Sequence, residues 1–93
     1  MARDISGSDN GTVGTGVVTA LPENGDRVLL FIQADSTNAG IIYFKGDGQD
    51  PSATDYHVEL TAGAGIVLDS PAPAGPVKFV GSAAGQRYSV WEA

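Results

Sequence analysis

Nucleophilic catalysis in this 93-residue chain would have to run through His57, because the chain has one histidine and no cysteine. A Ser-His-Asp relay also needs a serine held at a sharp turn, and no G-x-S-x-G elbow is present. His57 with Glu59 falls short of the three ligands plus water of a catalytic zinc site. Asp47, Asp50 and Asp55 share one loop, and hard cations such as calcium want several carboxylate or carbonyl oxygens. The D-x-D-x-D-G spacing is missing, however, and Pro51 stiffens the middle, so these read as solvated turn carboxylates. Glu59 and Asp69 could approach across a hairpin as a glycosidase pair would, but surface carboxylates do this in most β-proteins. Gly14-Thr15-Gly16, Gly46-Asp47-Gly48 and Gly63-Ala64-Gly65 open like phosphate-binding loops. None has the third glycine, a following Lys-Ser/Thr or a helix N-terminus to hold an anion. They read as turns and bulges. No catalytic centre, metal or cofactor is expected.

Charge removes further classes. Five basic residues against eleven acidic ones give a net charge of −6. Nucleic-acid binding needs a basic stripe to displace counterions, and no two Lys or Arg are adjacent here. Anionic membranes are disfavoured for the same reason. The longest apolar run, Val28 to Ile32, is far short of the roughly 20 residues that cross a bilayer. Met1-Ala2-Arg3-Asp4 is followed by polar residues where a secretory leader would be apolar, so none is expected. The Asn10-Gly11-Thr12 glycosylation sequon is then a chance match.

Side chains need elements to position them, and the chain reads as β throughout. Thirteen Gly and five Pro punctuate short β-branched runs at near-regular spacing, the rhythm of a sandwich or small barrel. Candidate strands are Val13–Leu21, Arg27–Ala34, Gly40–Lys45, Tyr56–Leu60, Ala64–Asp69, Val77–Gly81 and Arg87–Glu92. No window repeats apolar residues at helical spacing without an interrupting Gly or Pro. Pro22-Glu23-Asn24-Gly25-Asp26 and Thr61-Ala62-Gly63 read as tight hairpin loops. Gly46 to Asp55 is a polar loop, and the proline-rich Ser70–Pro76 is a stiff sheet-to-sheet crossover. Residues 1–12, with Ile5 as their one apolar anchor, read as a flexible arm ahead of a single domain over residues 13–93.

Alternation sorts each strand into two faces. Ile66 and Leu68 oppose Val67, and Val77 and Phe79 oppose Lys78 and Val80. Three strands are apolar on both faces. Leu30, Ile32, Ile42, Phe44 and Val90 fit a core, which leaves Leu29, Phe31, Ile41, Tyr43 and Trp91 pointing the other way. A thin two-layer domain has one inside, so this second set needs a cover. The expected cover is another subunit, with Trp91 as anchor, Arg27 and Gln33 as a polar rim, and Ile5 adding contact from the arm.

From Arg27 onward the order of features resembles small β-sandwich virion proteins of tailed bacteriophages, among them capsid decoration or cement proteins. The residues that carry the resemblance are Arg27-Val28-Leu29-Leu30-Phe31-Ile32-Gln33, then Ile42-Tyr43-Phe44 with Gly46, then Val58-Glu59-Leu60-Thr61-Ala62-Gly63 with Val67-Leu68. Gly75-Pro76-Val77, Ala83-Ala84-Gly85 and a closing strand through Val90 and Glu92 complete it. The resemblance implies a structural role: binding the major capsid protein at subunit junctions on the outer surface, as a trimer, after assembly in the host cytoplasm. The combined expectation is an all-β, jelly-roll-like antiparallel sandwich of about seven strands that is not an enzyme. A receptor- or carbohydrate-binding module of a phage tail or fibre is the alternative, with Trp91 and Tyr43 as its aromatics.

Overall fold

The computed structural model describes residues 7–93. Eight strands form: β1 (Gly7–Val13), β2 (Val18–Leu21), β3 (Leu30–Ala34), β4 (Ile42–Phe44), β5 (Val58–Leu60), β6 (Gly65–Leu68), β7 (Val77–Gly81) and β8 (Gln86–Glu92). They make two four-stranded sheets, ordered β1-β8-β3-β6 and β2-β7-β4-β5, with every pairing antiparallel. This order is that of a jelly roll. Only the β4–β5 connection stays within one sheet; every other connection crosses between the two.

The core lies between the sheets and follows the alternation. Leu30, Ile32, Ile42, Val77 and Phe79 are fully buried, and Phe44, Leu60 and Val90 nearly so. Phe79 sits at the centre, its ring 6.0 Å from that of Phe44 and 4.8 Å from that of Tyr88. These separations fall in the range where tilted aromatic pairs are favourable.

Four sequence expectations change. The stretch Val13–Leu21 is two strands in different sheets, because Gly14 to Val17 carries the chain across; the Gly14 carbonyl there accepts the Gly81 N–H at 2.7 Å. This brings the count from seven to eight. Neither expected tight hairpin joins neighbouring strands. Pro22–Asp26 links β2 to β3 and Thr61–Gly63 links β5 to β6, each from one sheet to the other. Both are still turns, although the Asn24-Gly25 pair, read as tolerating positive φ, does not adopt it. Asp26 N–H donates to Asn24 Oδ1, Arg27 N–H donates to the Asn24 carbonyl, and Gly63 adopts φ +79°.

The fourth change concerns the arm. Residues 7–12, expected to be flexible, belong to β1, which pairs with β8 from Gly7↔Glu92 to Val13↔Gln86. Backbone pairing supplies what these polar side chains cannot. The glycines also have a steric role: a Cβ at Gly7 would lie 2.6 Å from Glu92 Oε1, and one at Gly11 2.7 Å from Tyr88 Oη. They are absent side chains that make room for those of β8. Ile5 and the rest of residues 1–6 lie outside the described residues.

Candidate interaction surface

Register turns alternation into rows. On the outer face of the β1-β8-β3-β6 sheet, Ser8 pairs with Trp91, Trp91 with Phe31, and Phe31 with Val67. The Phe31 and Trp91 rings pack with centroids 5.5 Å apart. Both are half-buried, whereas Val67, on the edge strand, is 50% exposed. The row continues toward the chain end. Val28 N–H and Leu29 N–H donate to the Ala93 carbonyl, and Ala93 N–H returns a bond to Leu29. Leu29 is half-buried and Val28 48% exposed at that end. Phe31, Trp91 and Val67 are thus brought together in one row, with Leu29 at the end that pairs with Ala93.

Tyr43 and Ile41 are not part of this surface. They belong to the β4 region, in the other sheet, so the expected single outer face is two faces on opposite sides of the molecule. Parity along a strand was right, but it carries no information about which sheet the strand joins. Tyr43 is buried at 8% exposure, pairs with Val80 and Glu59, and has its ring 4.8 Å from that of Tyr56. Tyr56 Oη donates to Glu59 Oε2, and its proton is held more tightly than usual by that bond and by the nearby carboxylate charge. Ile41 is half-buried, its N–H bound to Ser82 Oγ.

The acidic loop between β4 and β5 is strapped to this second sheet. Lys45 Nζ lies 2.8 Å from Asp55 and 3.7 Å from Asp47, and Lys78 Nζ lies 3.1 Å from Asp50. The Asp55 bond is the main reason Lys45 holds its proton above the usual lysine range, while a bond from the Gln49 N–H lowers Asp47. These carboxylates serve as loop fasteners. Among the described residues no three His, Cys, Asp or Glu side chains are grouped to hold a metal ion. His57 is exposed, and its Nδ1 accepts the Gly46 N–H, which leaves the neutral ring's proton on Nε2.

Arg27 is the clearest correction. Expected on a polar rim, its side chain is fully buried, with Nε donating to Glu92 Oε2 at 2.5 Å. Nη1 donates to the Pro73 and Gly75 carbonyls and Nη2 to that of Pro22. One guanidinium therefore ties the β2–β3 connection, the β6–β7 crossover and the end of β8. An arginine beside an apolar run reads as a solvent-facing terminus; only the crossing loops give it buried acceptors.

Against this geometry, comparison with protein-family models, curated proteins and solved structures finds no match. The functional reading rests on the chain's own surface. No helix among the described residues is long and apolar enough to cross a membrane. Alternation sets Val28 with Leu30 and Ile32 on the core face, but Val28 precedes β3 outside its register and is 48% exposed. Alternation already turned Val67 outward, but the register that sets it beside Phe31 is not local information.

Proposed function

We propose that the chain is a non-enzymatic structural protein of a tailed-phage virion, which decorates the outer capsid surface as a homotrimer and holds capsid subunits together. The observation that supports this reading is the apolar row of Trp91, Phe31 and Val67, with Leu29 at its end. The jelly roll fills its core without these side chains. Contiguous apolar patches on a small domain commonly mark protein–protein contacts. An aromatic pair backed by aliphatic neighbours has the composition of an interface centre, where Trp contributes heavily. Jelly rolls are also frequent among virion proteins, an argument by analogy that fold alone never completes.

In this arrangement the apolar row of the β1-β8-β3-β6 sheet meets the capsid protein, and the opposite sheet, closed by its lysine-strapped loop, faces outward. The deciding experiment is electron cryomicroscopy of particles from cells that produce the chain. Decoration gives density for a small β-sandwich at capsid-subunit junctions, with Trp91 at the contact. Purified particles lacking the protein, or holding it at the tail, overturn the reading.

A further inference from the structure

Beyond the apolar row, the same sheet face changes character. Asn10 pairs with Ser89, and Ser89 with Gln33, so three polar side chains lie side by side across β1, β8 and β3. The next outward pair is Thr12 with Arg87. Asp35 follows β3 at this end and completes one wall of a cavity of about 730 Å³, within the roughly 300–1,000 Å³ typical of small-molecule sites. Ser36, from the β3–β4 connection, and Gly63, from the β5–β6 connection, also line it.

These polar side chains are uncommitted. Asn10, Thr12, Gln33 and Ser89 make no side-chain hydrogen bond among the described residues. The backbone beneath is fixed: Asp35 N–H donates to the Arg87 carbonyl, and Asn38 exchanges two side-chain bonds with the Arg87 backbone. Asp35 Oδ1 accepts from both the N–H and the hydroxyl of Thr37, which fixes the carboxylate before any ligand arrives. Such preorganisation lowers the ordering cost of binding.

We propose that this cavity binds a carbohydrate. Two amides and two hydroxyls offer donors and acceptors in one array, which suits a ligand whose hydroxyls do both. Asp35 and Arg87 add one charged acceptor and one charged donor of opposite sign, so the site has no net charge to select a phosphate. The inference does not rest on the capsid reading, and either can fail alone.

The test is a nitrogen–proton NMR titration of the full chain with glucose, galactose, mannose, rhamnose and N-acetylglucosamine, each to about 100 mM. That concentration populates even a site weaker than the millimolar affinities at the low end of specific binding. At least one sugar is expected to shift the amides of Gln33, Asp35, Arg87 and Ser89 in a saturable way. The double variant Gln33→Ala with Ser89→Ala should bind that sugar at least tenfold more weakly while keeping a dispersed spectrum. Failure of every sugar to move these amides overturns the proposal. So does unchanged binding by the double variant, or a response at Arg87 to inorganic phosphate but to no sugar.

Discussion

Arg27 and Glu92 bury opposite charges where two connections meet the end of β8, and such pairs matter most when half of one is removed. Glu92→Leu leaves the guanidinium inside the protein with carbonyls alone. The expected loss is about 3–5 kcal/mol in chemical denaturation; a loss below about 1 kcal/mol, the scale of an exposed pair, would refute the clasp. Tyr88 gives a second prediction, this time in pH. Burial first, then its hydrogen bond to Asp9 and that carboxylate's charge, raise the phenol from 10.0 to about 12. The unfolded chain therefore releases this proton earlier than the folded one. The stabilising contribution is complete below pH 10 and is lost as pH rises through the window to about 12. Tyr88→Phe should flatten the alkaline limb of a stability–pH curve over that window. An unchanged slope would show that Tyr88 does not titrate there.

At the level of elements, β1 shows most clearly where local reading stops. Its Gly-Ser-Asp-Asn-Gly-Thr composition buries almost nothing, so the sequence reads as a mobile lead-in. It becomes a strand because the whole length of β8 is available as a partner and because Gly7 and Gly11 clear space for Glu92 and Tyr88. Both causes are more than seventy residues away in sequence. The all-β class, the inward faces of β3, β4, β7 and β8, and the Ser70–Pro76 crossover were legible because they depend only on alternation and turn chemistry. The sheet assignment of each strand was not, so Tyr43 and Trp91 read as neighbours when they lie on opposite faces. For β1 the expected outcome follows from sterics. Gly11→Ala sets a methyl 2.9 Å from Tyr88 Cζ as well as 2.7 Å from its oxygen, so the ring must shift. Overpacking of this kind costs about 1–3 kcal/mol. Hydrogen exchange should show β1 opening before β3 and β8; equal protection in the variant and the parent would argue that β1 tolerates the displacement.

Over the whole molecule, the two sheets present unlike outer faces. One is closed by Lys45, Lys78 and the acidic loop; the other carries the aromatic row and the polar cavity. Trp91 is the single tryptophan, so selectively excited tryptophan emission reports on the second face alone. In the free chain its emission should be that of a half-exposed indole, shifting to the blue when the face docks. Trp91→Ala removes the pair with Phe31, which contributes about 0.5–1.5 kcal/mol beyond area burial, so the variant should stay folded by circular dichroism. On the decoration proposal, its attachment to particles should weaken by at least about thirtyfold, the equivalent of a 2 kcal/mol interface anchor. Tyr43→Ala is the matched control from the opposite sheet: it truncates a buried ring, so it should lower stability while leaving the attachment of the folded fraction intact. Were the two variants to exchange effects, with Tyr43→Ala stripping particles and Trp91→Ala unfolding the chain, the contact would lie on the loop-covered sheet and the aromatic row would be an extension of the core.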